Sequence, residues 1–491
     1  MTAAPSAAAR LARSSTVAVA GSAINGVAAF GVAIAITRTA TTTDDSGAIF
    51  VATAVFNVAF LIATLGAEIG LVRHIARDPS TARQLVRTAV LPTSIFSAAL
   101  AGLIVVNRGW MAELLAGDSD PAAVETALLV VGPLVPVASL AAIALAASRG
   151  LSTMTPTVLL DRITRPVSQV VLVAGAGLVW GSVGPMALAW ALAFVPSFIG
   201  GWRWWSRNSP AGLLDDGAPG DYWSFTAPQA LTTVLNVLLR WVDIAVVAAL
   251  TDTSTAALYT AASRLLLVGN FVNGAIMQAV SPMVADSLGR GDRRDAGELL
   301  GTGTAWLVAL VWPLYVALIV MGAGFLELFG AEYRDAATAL AILAVAMMVA
   351  TGVGPIEAVL LMDGASRLSL ADNAVAVVAM LAIDVALVPS MGLRGAAIGW
   401  AVGLLATNLL PLWQVWRRLS ISPFGRAHAI AAIGAVAMMG AVTLATRSTL
   451  GDGLALAVVA TAVGYGAHLA LMTRFADELK LRDLRRALRK S

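Results

Sequence analysis

Arg240, Asp243, Arg264, Asn270, Asn273 and Gln278 all fall inside two apolar runs of membrane-spanning length between Asp221 and Arg294. A charged side chain at the centre of a bilayer costs about 2.5–3.5 kcal/mol on insertion scales, so such groups face protein or a water-filled cavity. The stretch therefore reads as one wall of a polar cavity. Arg264 has no acid at i±3 or i±4, where Thr260, Ala261, Leu267 and Val268 stand. Arg240 and Asp243 are three apart and share a helix face, which leaves two readings open. The two neutralise each other, or the pair opens for another charged species and Asp243 takes up a proton or Na⁺. Asn270, Asn273 and Gln278, with Asn57 in an earlier run, are amides that serve either as contacts between helices or as ligands for a polar cargo. Asp384 is the most deeply placed acid among Glu357, Asp363, Asp372 and Asp384, and is a second candidate for ion coupling. Near the run ends, Glu68 and Arg73 flank one membrane face. Asp161, Arg162 and Arg165 precede Pro166, as a salt-bridged turn or a gate; Asp161, Arg165 and Glu68 are the gate candidates.

These residues need helices to hold them. The chain has 491 residues, 58% hydrophobic and 12% charged, too few polar side chains to cover a water-soluble protein of this size. It reads as an all-α polytopic membrane protein. Apolar stretches of about 20 residues centre near 26, 58, 98, 135, 168 and 193, then 238, 270, 311, 348, 379 and 404, and finally 436 and 462, which makes about fourteen spans. A polar interval rich in Gly, Pro and Asp interrupts them. The expected organisation is a six-helix lobe over 1–205, a cytoplasmic linker at 206–222, a second six-helix lobe over 223–418, two further helices in 419–473, and a basic tail at 474–491.

Two patterns support that division. Asp45–Phe50 matches Ser254–Tyr259, Thr126–Val131 matches Thr338–Leu343, Arg149-Gly150 matches Asp363-Gly364, and Trp190 matches Trp400, all at an offset close to 210. Parallel repeats of this kind place a substrate site at their interface, around a central cavity near the bilayer midplane. The basic residues also alternate. With a cytoplasmic N-terminus, 25 of the 32 Lys and Arg fall on the cytoplasmic side and only Arg38, Arg108, Arg334, Arg394 and Arg447 on the other, as the positive-inside rule requires. Both termini are then cytoplasmic. In the tail, Leu481, Leu484 and Leu488 share a helical face among basic residues, which suits a helix on anionic lipids.

Several chemistries are excluded or left without support. Cysteine is absent, so thiolate and disulfide chemistry are ruled out. His74, His428 and His468 are too scattered for a metal site. The only lysines, Lys480 and Lys490, lie in the tail, so no P-loop is present. No cofactor or nucleic-acid partner is indicated. An embedded polymerase or glycosyltransferase would need catalytic acids in a sizeable external loop, yet the outer loops offer little beyond Glu113, Asp118 and Asp120.

The mid-helix Arg240 followed by Asp243, the run Thr255–Ala262, the amide-bearing helix ending near Ser281-Pro282 and the loop Gly289–Arg294 resemble the seventh and eighth helices of polysaccharide-type flippases. These belong to the multidrug/oligosaccharidyl-lipid/polysaccharide exporter superfamily. Ser46–Phe50 with Gly66–Arg77 is similar to its second helix, Ser148–Pro166 to its fourth-to-fifth junction, and Gly392–Trp400 to its eleventh-to-twelfth loop. The resemblance covers nearly the whole chain and implies alternating access. The cargo it implies is a polyprenyl-diphosphate-linked oligosaccharide moved to the outer leaflet for cell-surface polysaccharide synthesis, in the plasma membrane beside a polymerase and glycosyltransferases. It implies a transporter, not an enzyme.

For such a cargo, Arg264 is the first candidate for phosphate contact, with Arg240 and Arg73 beside it, because arginine donates forked hydrogen bonds and stays charged when desolvated. Asn57, Asn270, Asn273 and Gln278 become candidates for sugar hydroxyls. The alternative is an ion-coupled exporter of drugs or small amphiphiles from the same superfamily. Its members often carry an acid in the first helix, where this chain has only Asn25.

Overall fold

The computed structural model describes residues 7–210 and 222–480, and in it the apolar runs are helices. In chain order these are α1 (Ala7–Thr39), α2 (Thr43–Arg77), α3 (Pro79–Val106), α4 (Pro121–Gly150), α5 (Thr157–Trp180), α6 (Val183–Asn208), α7 (Tyr222–Leu250), α8 (Thr253–Gly289), α9 (Arg293–Leu326), α10 (Ala331–Val353), α11 (Ser366–Met391), α12 (Leu393–Leu419), α13 (Arg426–Leu450) and α14 (Leu454–Arg474). Every expected span centre falls inside one of them. Among the described residues, twelve are long and apolar enough to cross a bilayer, while α1 and α7 contribute the shorter apolar stretches Ile24–Thr39 and Trp241–Leu250. The protein is therefore all-α and multi-pass.

The helix starts carry their own signals. Thr42 caps α2 by accepting from the Asp45 amide at 3.0 Å. Asp120, Asp252 and Asp292 do the same for α4, α8 and α9 at 2.9, 2.6 and 3.0 Å. Such caps satisfy amide donors that have no partner within the helix.

Two compact units result, Met1–Ala257 and Leu258–Ser491. In the first, Leu71 and Ile75 of α2, Leu85 and Val86 of α3, Ile143 of α4, Trp205 of α6 and Tyr222 of α7 form one buried cluster. Lipid tails are as apolar as leucine, so close approach rather than a hydrophobic drive holds such helices together. Gly150 accordingly lies against Ile75, and Gly201 against Ala144.

In the second unit, Ala305, Val308 and Ala309 of α9 pack with Ala431 of α13 and Met472 of α14. His468 is fully buried there, its Nε2 at 2.9 Å from the Ala309 carbonyl. The tail begins on the same surface. Residues 475–480 form turns rather than helix; Leu479 is buried in the cluster and its carbonyl accepts from the Trp306 indole at 2.7 Å. Residues 481–491, including the leucine face, lie outside the described residues.

Several spans are broken where the sequence removes helical hydrogen bonds. Proline cannot donate to the preceding turn. Pro133 sits in a 3₁₀ turn that divides α4, and the first eight residues of α5, Thr157–Thr164, widen into a π-helix just before Pro166. The break in α2 has another cause: Leu65 and Gly66 adopt φ of 52° and 71°, so the helix stops at Ala63 and restarts at Ala67. A Cβ on Gly66 would also meet the backbone of Thr226 and Ala230 in α7. Gly66→Ala thus combines left-handed strain with a backbone clash and is expected to cost about 1–3 kcal/mol. The check is the thermal unfolding midpoint in detergent, which falls in Gly66→Ala and holds or rises in Leu65→Gly.

Candidate functional site

In the first unit, the second half of α2 gathers most of the polar contacts at its membrane face. Glu68 receives a 2.9 Å ion pair from Arg149 at the end of α4, both side chains about a quarter exposed. Arg73 is exposed and stacks its guanidinium 3.9 Å from the Phe225 ring centre of α7. His74 is buried against Tyr222 and Phe225, with Nδ1 2.9 Å from the Gly70 carbonyl. Two of the expected site residues, Glu68 and Arg73, therefore belong to one α2, α4 and α7 surface.

Deeper in the same unit, Asn57 is buried and donates to the Thr53 carbonyl at 2.7 Å. Beside it Phe56, Phe60, Trp190 and Phe194 form an aromatic cluster with ring centres 5.2–6.4 Å apart. Arg165 lies over this cluster, 5.0 Å from the Phe194 ring, and pairs with Asp161 one turn back at 2.8 Å. Both come from the junction where the π-helical segment meets regular α5, a geometry that recurs at functional positions. The cluster was missed in the sequence because its two aromatic pairs, Phe56 with Phe60 and Trp190 with Phe194, stand more than 100 residues apart; cation–π contacts of this kind carry no local pattern.

Asp243 of α7 is only 5% exposed. Arg240, Asn270 and Gln278 have side chains outside the described residues. In the second unit, Arg264 and Asn273 are half-buried on α8. Asp384 is 1% exposed and lies against Gly399 of α12, where any side chain would overlap its carboxylate. A second group of acids is better connected than the sequence suggested. The Gln414 amide donates to Asp372 at 2.8 Å, the Ser369 hydroxyl to Glu357 at 2.7 Å, and Arg418 pairs with Asp363 at 2.9 Å. Gln414 and Ser369 were not among the expected residues, since an amide or hydroxyl in an apolar run becomes notable only once its partner is known.

At the opposite membrane face, three loops of the first unit meet around one carboxylate. Asp44 accepts from the Ser119 and Thr253 hydroxyls at 2.7 and 2.8 Å, and Ser119 Oγ accepts from the Thr253 amide at 3.1 Å. The Asp118 amide donates to the Thr251 carbonyl at 2.8 Å. The starts of α2 and α8 and the loop before α4 are thereby clasped. Removing the central acceptor, as in Asp44→Ala, leaves two hydroxyls to rearrange and is expected to loosen the clasp by about 1 kcal/mol. Hydrogen exchange should quicken at 117–119 and 251–254, and adding Thr253→Val should add little, since both substitutions remove one interaction.

The fold so built is that of known transporters. The chain aligns with a lipid II flippase, MurJ, in an inward closed conformation at TM-score 0.72 and 14% identity, over 92% of this chain and 97% of that one. An inward-facing multidrug resistance MATE family transporter of the MOP superfamily aligns at 0.66 and 16%, over 80% and 94%. A MOP superfamily transporter from Pyrococcus furiosus aligns at 0.53 and 17%, over 84% and 95%. No curated protein sequence matches. A family model described as polysaccharide biosynthesis protein matches residues 41–338, from the clasp at the start of α2 into the start of α10, and the chain belongs to that family.

Proposed function

We propose that the protein is a flippase for a polyprenyl-diphosphate-linked oligosaccharide, working by alternating access with both termini in the cytoplasm. The observation that carries this reading is the conjunction of a polysaccharide-biosynthesis family match over 41–338 with the fold of a lipid II flippase across 92% of the chain. The cargo's diphosphate needs cations that remain charged away from water. Arg264 in α8 supplies one within a span, and Arg240 and Arg73 are proposed beside it. Asn57, Asn270, Asn273 and Gln278 are assigned to sugar hydroxyls.

The ion pairs near the cytoplasmic face are the proposed gates. Glu68 with Arg149 ties α2 to the end of α4, Asp161 with Arg165 braces the first turns of α5, and exchange of Arg149 or Arg165 from carboxylate to diphosphate would couple arrival of cargo to opening. Asp243 and Asp384, both buried, are the proposed sites of H⁺ or Na⁺ coupling. One charge moved through the membrane potential is worth about 2.3 kcal/mol per 100 mV, enough to bias the conformational step. The second reading, an ion-coupled exporter of small amphiphiles, draws on the fold likeness to a multidrug resistance transporter at TM-score 0.66.

In proteoliposomes, the intact protein is expected to move a fluorescent polyprenyl-diphosphate oligosaccharide, and Arg264→Ala to reduce the rate about tenfold or more, the loss expected of one charge-assisted contact. Transport of cationic amphiphiles with no movement of any such lipid would transfer the assignment to the exporter reading. Asp243→Asn is expected to keep translocation but abolish its response to an imposed proton or Na⁺ gradient; an unchanged response removes Asp243 from the coupling step.

A further inference from the structure

A groove of about 470 Å³ lies between the start of α3 and the end of α6, away from every residue assigned above. Arg83 and Arg87, one turn apart on α3, face Trp202 and Trp205 of α6, and the groove continues along Val90 and Leu91. Its floor is part of the core, since Val86 and Trp205 are 3% and 8% exposed, whereas Leu91 is 64% exposed on the lipid-facing side. No acid is among its lining residues. Arg83 spends part of its fork on Ser209, with Nε 3.2 Å from the hydroxyl and Nη2 3.4 Å from the carbonyl. The Trp202 indole N–H is buried and meets no acceptor among the described residues, although buried donors are normally paired.

The first turns of α3 and the last of α6 mark one end of their spans, the level of lipid headgroups, where Trp and Arg gather. We propose that this groove binds the phosphodiester of an anionic phospholipid, with an acyl chain following Val90 and Leu91. Two guanidinium groups suit the two non-bridging oxygens. With no carboxylate in the lining, nothing compensates the ammonium group of a choline headgroup, so the groove selects a net negative lipid such as phosphatidylglycerol. Its volume lies in the range of small-molecule sites. The site depends only on the spans being in a membrane, not on the cargo proposed above.

Native mass spectrometry of the full chain in detergent tests it, with phosphatidylglycerol, phosphatidylcholine, inorganic phosphate and a polyprenyl diphosphate as probes. Phosphatidylglycerol should be retained in preference to phosphatidylcholine. Arg83→Gln/Arg87→Gln should weaken it about tenfold, the scale of a lost charge-assisted hydrogen bond, with the unfolding midpoint of the lipid-free protein unchanged. Trp202→Phe, which keeps the ring and removes the N–H, should weaken it less. Equal retention of the two lipids, or of phosphatidylglycerol by the double variant, overturns the proposal. Displacement by inorganic phosphate at equal concentration would make the groove a free-phosphate site, and displacement by a polyprenyl diphosphate would make it part of the cargo path; each of these also overturns it. The translocation assay is read independently of lipid retention, so the two readings fail separately.

Discussion

A bilayer interior offers no water to satisfy a polar group, and that constraint orders everything else in this chain. It forces the backbone into helices. It also makes each buried ionisable side chain costly unless protein or an enclosed aqueous space receives it. Asp243 and Asp384, at 5% and 1% exposure, are therefore harder to explain as packing than any leucine around them. The fold tolerates them because α7 and α11 hold them inside the protein rather than against lipid.

The same constraint explains what could be read from the sequence. Runs of about 20 apolar residues have no other use in so hydrophobic a chain, so the positions of the helices were legible before any coordinates, although of the fourteen expected spans twelve are long and apolar enough to cross a bilayer among the described residues. Local chemistry was legible too: Asp161 and Arg165 stand four apart before a proline, and they do pair. What the sequence concealed were contacts between distant segments. Glu68 reaches Arg149 across 81 positions, and Arg165 finds Phe194 only because α5 and α6 fold back on each other. The break at Leu65 and Gly66 was equally hidden, since a leucine with positive φ is disfavoured and no local pattern announces it. The tail is a different case: its leucine spacing suggested a lipid-facing helix, but its first residues are held by α9 through Trp306 and Leu479.

Breaks and polar contacts occur together. The interruption of α2 lies next to Glu68 and Arg73, and the π-helical start of α5 carries Asp161 and Arg162. Freed backbone groups need partners, and a protein already supplying polar side chains at that depth can provide them at least cost. A helix bent at such a point has two segments able to move with partial independence, whereas a straight span moves as one rod. Alternating access, on the reading proposed here, would use these joints rather than bend regular helix.

The clasp around Asp44 extends that logic to the other membrane face. Asp44 and Thr253 are 209 residues apart, the same offset that relates Asp45–Phe50 to Ser254–Tyr259, so equivalent positions of the two sequence repeats meet. Both are helix starts, where unsatisfied amides leave partial positive charge, and two such ends brought together repel. A carboxylate between them offsets that repulsion, and Asp44 accepts hydrogen bonds while Asp45 and Asp252 stand in the adjoining turns. Gly47 completes the fit: a Cβ there would overlap the Thr253 carbonyl, so only glycine lets the two helix starts approach this closely. Separating them would expose donors to water, which satisfies them readily at a membrane surface. The contact is thus held by a few hydrogen bonds whose loss costs little.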